Sequence, residues 1–470
     1  MSKNMLSNSF HSQTEKNYQN RSFRGKDLSL EDFSNADIRG CDFSEANLTG
    51  ANFRGAKAGL SQQGIYRSLL IAAALSGLSG AAATMAVGQP MALMTPKPNL
   101  VLPFTVNFIM GLILIFVNAI LLISSLKNGL EKTIQNLGIT IAVLIPIGGI
   151  LAALGNARTP ILSELRVFRI GYLINSNQIG NPIPALIVTL TASMGATLTV
   201  IFTLALAIAI ATITLNKIFK LLIIVEALAI GIIASAIVTR NADDRVFEVF
   251  SEVNRVPAII TLIALVILSI ILATILILVS SNIGKRVLKE EKKYLIIRQF
   301  AIAISSWGGT SFVKANLTQT HFNQALLKST DFTDANIKHT RWYQAEKLEW
   351  AKVGNTILEN AQVRELLVSL EGYRKTFIGL NLREANLMNA NLEYANLRGS
   401  DLSEASLETA NLEWANLAQT QAIGTNFKEA RLTGSYGLST WNIDSTTNLL
   451  WVNCKFIYLL EYPKPGTDDR

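Results

Sequence analysis

Hydrophobic positions recur every five residues over 377–432: Phe377, Leu382, Leu387, Leu392, Leu397, Leu402, Leu407, Leu412, Leu417, Ala422, Phe427 and Leu432. Only Ala422 lacks a bulky side chain. Two residues ahead of most centres stands a small residue, such as Ala385, Ala390, Ser400 or Thr420, with Asn or Asp usually between them. A period of five fits neither the 3.6 of a helix nor the 2 of a strand. It predicts a solenoid in which each repeat buries its apolar residue against its neighbours. The same spacing runs through Phe312, Leu317, Phe322, Leu327, Phe332, Ile337 and Trp342, and through Phe23, Leu28, Phe33, Ile38, Phe43, Leu48 and Phe53.

The unit resembles the A(D/N)LXX repeat of the pentapeptide-repeat family, as in Ala385-Asn386-Leu387-Met388-Asn389. That resemblance implies a right-handed quadrilateral β-helix at both ends of the chain, one pentad per side and four per coil. The inward positions then include Phe312, Leu317, Phe322, Leu387, Leu392, Leu397, Leu402, Leu407, Leu412 and Leu417. The first run has too few pentads to stand securely alone, which predicts that it stacks on another surface, the C-terminal solenoid foremost. Register breaks between Tyr343 and Thr356, pentads resume at Leu358 and Val363, and 364–375 reads as a helix. This insertion near 343–375 is the least repetitive exposed surface, where specificity is expected. Beyond Ser435 the pattern fades, and Trp441, Trp451, Phe456, Ile457, Tyr458 and Leu459 are expected to plug the last coil.

Between the two runs the pattern changes. Apolar stretches at 68–88, 100–125, 133–155, 184–214, 218–239 and 258–281 are each long enough to cross a hydrocarbon core. They predict an α-helical transmembrane bundle of about six spans. The denser Lys and Arg of the flanks place both termini in the cytoplasm. The loops 161–174 and 241–255 read as amphipathic interfacial helices. The expected division is a disordered tail over 1–20, pentads over 21–58, a membrane domain over 59–297, the main solenoid over 298–442 and a capping tail over 443–470. Asn442-Ile443-Asp444-Ser445-Thr446-Thr447 is similar to a segment of multi-spanning cyanobacterial members of the family, which implies a thylakoid or plasma membrane.

Charge changes the picture little. The net +8 arises in residues 61–297, with 17 basic and 9 acidic side chains, while both ends nearly cancel. This is the charge of membrane flanks, and no nucleic-acid partner is expected. Mimicry of DNA, known in family members that protect gyrase, needs a strongly acidic rod, whereas 377–432 carries 7 acidic against 4 basic residues. Cys41 and Cys454 are far apart, and His11, His321 and His339 form no ligand cluster. No catalytic motif, metal site or cofactor is expected. Glu226 is an ionisable residue within an apolar run, with Asn107 and Asn118 as candidate polar partners, which motivates a transporter or channel as the alternative. The leading expectation is a non-enzymatic scaffold, anchored in the lipid bilayer, whose solenoid binds a cytoplasmic protein.

Overall fold

Each pentad makes one corner of a coil. In Phe33–Ala36 the Ala36 N–H donates to the Phe33 carbonyl at 3.1 Å, and Asn35, third in the turn, has φ +55°. This is the geometry of a type II turn, which needs a left-handed residue at its third position. The same place, two residues past the centre, is left-handed at Gln319, Gln324, Glu384, Asn389, Tyr394 and Thr409. The Asn or Asp ahead of the centre shapes the same corner. Its Oδ1 accepts the N–H two residues on, at 3.2 Å for Thr318 on Asn316 and 2.9 Å for Ser403 on Asp401. Such Asx turns pre-shape the backbone locally.

The computed structural model describes residues 16–94, 104–129, 132–133, 135, 197, 199–213, 271, 274–276 and 278–461. They fall into two compact units, 1–65 with 305–470, and 66–304.

In the first unit, parallel bridges link residues 20 apart, such as Asn316 with Asn336 and Asn391 with Asn411, so four pentads complete one coil. The N-terminal run is continuous with the C-terminal one. Asp42 bridges Ser311, Asn47 bridges Asn316, Asn52 bridges His321 and Lys57 bridges Leu326. Across this seam the N–H groups of Phe43, Leu48 and Phe53 donate to the carbonyls of Ser311, Asn316 and His321, each at 2.8 Å. Inside, Phe43 stacks on Phe312 at 5.2 Å and Phe53 on Phe322 at 5.1 Å, continuing columns that begin at Phe23 and Phe33. The chain leaves at Gly59 and returns at Thr310, where the Thr310 N–H donates to the Gly59 carbonyl and Thr310 Oγ1 donates to Ile38 O at 2.8 Å. The pentads start at Tyr18, inside the stretch expected to be a tail, because Asn17 bridges Asp37.

Two local departures lie at the break and at the end. Val363, expected as a pentad centre, lies in an α-helix, and Leu358 in a 3-10 turn over Ile357–Glu359. Both still fill the core, which a five-residue count cannot tell from a pentad centre. At the far end the coil continues to Asn453 with wider spacing, and Trp441 packs edge-on to Phe427 at 5.2 Å. Trp451 is instead 72% exposed, because it occupies the left-handed outer corner of its turn, at φ +56°.

The second unit contains most of α1 (Gln62–Met94), all of α2 (Phe104–Asn128) and most of α3 (Leu295–Ser306). Tyr294 Oη donates to the carbonyls of Ser125 and Leu126 at 3.3 and 3.2 Å, holding the end of α2. Gly284 lets a second segment approach closely, since a Cβ there would lie 3.0 Å from Ile208.

The six-span bundle and the integral-membrane placement with cytoplasmic termini require correction. Among the described residues, no helix is long and apolar enough to cross a membrane. An apolar run is common to a lipid-facing span and to a helix enclosed by protein, so composition does not separate them. Residues 199–213 are a case in point, with Ile201, Leu204, Ala207, Ile208 and Ile210 all within 2% of full burial. The run 218–239 with Glu226, and the loops 161–174 and 241–255, lie outside the described residues, as do most of 133–155 and 258–281.

Candidate functional site

The inward positions singled out by the period sit in one continuous core. Phe312, Leu317, Phe322, Leu387, Leu392, Leu397, Leu402, Leu407, Leu412 and Leu417 are all fully buried. They hold up the faces without meeting solvent. Of the polar candidates, Asn118 is half-buried in α2 and Asn107 lies in the same helix, while Glu226 is outside the described residues. Among the described residues no group of three His, Cys, Asp or Glu side chains is placed to hold a metal ion.

The feature that breaks the regular surface is the insertion. The last bridge of the upstream stack is Asp331 with Lys352, and the next stack begins with Glu371 bridging Asn391. Between them runs α4 (Ala361–Ser369), capped by Asn360, whose side chain accepts the N–H groups of Gln362 and Val363 at 2.9 and 3.2 Å. An Asn at this position satisfies donors that a helix start leaves open. Leu358, Val363, Leu366 and Leu367 are buried and fill the core where pentads are missing. Leu370, at φ +55°, ends α4 and turns the chain into the next coil.

Coils on either side of the break meet at one corner. His339 N–H donates to Glu384 O at 2.8 Å, and Asn386 Nδ2 donates to His339 O at 3.0 Å. Lys338 Nζ lies 2.5 Å from Glu404 Oε2, and Arg383 pairs with the other oxygen of the same carboxylate. The Lys338 hydrogen bond, with the charges of Lys338 and Arg383, holds the Glu404 carboxyl below its ordinary range. Beside this corner lies a groove of about 500 Å³ whose walls include Ala335, Ile337, Asn381 and Arg383, with Thr356 and Ile357 from the insertion. A second hollow of about 400 Å³ lies by Tyr343, Leu370 and Met388.

A further outer feature is an aromatic column. Tyr373 meets Tyr394 edge-on at 6.1 Å, Tyr394 stacks on Trp414 at 6.2 Å, and Arg374 lies over both tyrosines. Below Trp414 stands Gly434, where any Cβ would come within 2.6 Å of the indole. Reading pentads one by one misses this column; its signal is the one-coil spacing of about 20 residues between aromatic corner positions. The Lys338–Glu404 contact carries no comparable signal, because a non-repetitive insertion lies between the partners.

A family profile described as pentapeptide repeats matches in eight copies, over residues 27–58, 310–341, 376–408 and 410–436. No curated protein matches the chain. Among solved structures, the chain is similar to HetL, a pentapeptide repeat protein involved in heterocyst differentiation regulation from the cyanobacterium Nostoc sp. strain PCC 7120. The identity is 20% over 32% of this chain and 62% of HetL, with a TM-score of 0.12. It is also similar to QnrB1, a plasmid-mediated fluoroquinolone resistance protein, at 14% identity over 32% of this chain and 78% of that one, with a TM-score of 0.15. A pentapeptide repeat protein from the cyanobacterium Cyanothece 51142 is 22% identical over 29% of this chain and 63% of its own, with a TM-score of 0.08. The chain thus spans under two-thirds of HetL. Repeat profile, five-residue corners and 20-residue bridge spacing agree: the β-helical unit of this chain is a pentapeptide-repeat solenoid.

Proposed function

We propose that the solenoid is a protein-interaction scaffold and that its work is binding rather than catalysis. The observation that carries this reading is the continuity of the core and its ladder from Tyr18 past the seam to Asn453, broken once by the 353–370 insertion. Such a rod holds its outer side chains at fixed intervals, so little conformational freedom is lost when a partner docks. Binding residues tend to lie on irregular segments held by a rigid frame, and the insertion is such a segment.

The test is proximity crosslinking from the full chain in cells, followed by titration of each purified candidate against the purified full chain. A saturable complex formed by the parent and lost when Leu392→Asp unfolds the solenoid supports the reading. No saturable partner, or binding that survives unfolding of the solenoid, refutes it.

A further inference from the structure

The regular coil has a fixed rule for its backbone donors. A pentad centre donates to the coil after it, as Leu317 N–H does to Asn336 O at 2.8 Å. The residue before the centre donates to the coil ahead, as Asn336 N–H does to Ala315 O at 2.9 Å. At the break this rule leaves two edges open. Asn336 bridges Asn316 upstream and nothing downstream, while Asn381 bridges Asp401 downstream and nothing upstream. Among the described residues, Ile337 N–H has no acceptor on the next coil, and Asn381 N–H has none on the coil ahead. The carbonyls of Ala335, Asn381 and Arg383 likewise accept no backbone hydrogen bond. By the rule, both sets of groups face the space between the coils, and their residues line the 500 Å³ groove.

Open edges of this kind are templates for an added strand. We infer that the groove between 334–337 and 381–383 binds an extended peptide segment of a protein partner, which enters as a parallel rung between the two coils up to the corner where His339 already meets Glu384. The peptide's carbonyls would accept from Ile337 and Asn381, and its N–H groups would donate to Ala335 and Asn381. The charges fit an uncharged main chain. Both cations of the lining, Lys338 and Arg383, are already paired with Glu404, which leaves neither to hold a peptide carboxylate. Ile337 and Ile357 offer an apolar wall for one β-branched side chain, and Asn336 and Asn381 continue the polar ladder on which Asn, Ser or Thr would sit. This inference rests on the scaffold reading and names the surface it uses.

The test uses the purified full chain and a random library of acetylated, amidated heptapeptides. The expected selection is an uncharged sequence with Val or Ile flanked by Asn, Ser or Thr. N-methylation of alternate amides in the best peptide should weaken it at least tenfold, because both edges need its backbone. A photoreactive side chain at Thr356 should crosslink to that peptide, and one at Glu393 should not. Ile357→Trp, which fills the groove, should abolish binding while the melting temperature stays near that of the parent. No enriched peptide, tolerance of N-methylation, or crosslinking from Glu393 instead of Thr356 overturns the groove as the site. A partner that still binds the full chain by another face would leave the scaffold reading standing, so the two failures are separable.

Discussion

Phe312→Ala is the sharpest perturbation of the core. The ring is fully buried at the seam, stacked between Phe43 and Phe332 at 5.2 Å each and edge-on to Phe53 and Phe322 at 5.6 and 5.3 Å. A buried phenylalanine removes roughly 200 Å² from water. At about 25 cal/mol per Å², and allowing for the methyl that remains, the loss is about 4 kcal/mol, within the range of measured Phe→Ala changes. Coils of a solenoid stabilise mainly their neighbours, so the loss should concentrate at the seam. Hydrogen exchange with peptide mapping, beside denaturant unfolding, reads both size and place. Residues 16–58 should lose protection first, ahead of 391–432. A cost below about 1 kcal/mol, or loosening that spares 16–58, would refute the packing argument.

Leu392→Asp should unfold the solenoid and render it protease-sensitive, since Leu392 is fully buried and an unpaired carboxylate there costs several kcal/mol, while the neighbouring Glu393→Lys should be tolerated. Equal protease resistance in the two variants would remove the pentad register. Cys41 is buried, with its thiol pushed up to about 11 by that burial, whereas Cys454 is exposed. Maleimide at neutral pH should therefore label the native chain at Cys454 and reach Cys41 only after denaturation, and rapid labelling of Cys41 in the native chain would contradict the closed core. The Asp32 carboxyl is held at about 2, chiefly by the hydrogen bond from Lys16, against an ordinary 3.8. A carboxyl with a lowered folded pKa stabilises above its ordinary value, and that contribution disappears as pH falls from the ordinary value through the lowered one. Asp32→Asn should thus be less stable than the parent at neutral pH, with the difference shrinking as pH falls below the ordinary value and vanishing only once the pH is well below 2; a difference that does not shrink on acidification would be the contrary result.

The coils were legible because most pentad centres are also core residues, with Phe23, Leu28 and Ile337 only partly buried. Leu392 and Leu397 are five apart in sequence and both fully buried, so hydrophobicity alone reports the period. The break was located by loss of that period, but its geometry was not readable. Leu358 and Val363 keep the five-residue count while sitting in a 3-10 turn and a helix, because either conformation buries an apolar side chain there. The open backbone groups at Ile337 and Asn381 leave no mark in the side chains at all. The Lys338–Glu404 pair depends on how coils meet across 66 residues, which local pattern does not encode. The apolar middle misled for a related reason: buried helical residues such as Ile201 and Leu204 are as hydrophobic as those facing lipid.

The central claim is that two runs more than 250 residues apart build one β-helix. Ser44 Oγ and Ser311 Oγ lie 2.9 Å apart across the seam, separated by 267 residues. Cysteines at both positions, with Cys454→Ser to remove the exposed thiol, bring two thiols within disulfide reach. Mild oxidation of the native chain, followed by proteolysis and mass spectrometry, should recover a peptide pair joining residues 44 and 311 in high yield, within one molecule and independent of protein concentration. Free thiols at both positions, or a crosslink that forms only between molecules, would contradict the continuous solenoid.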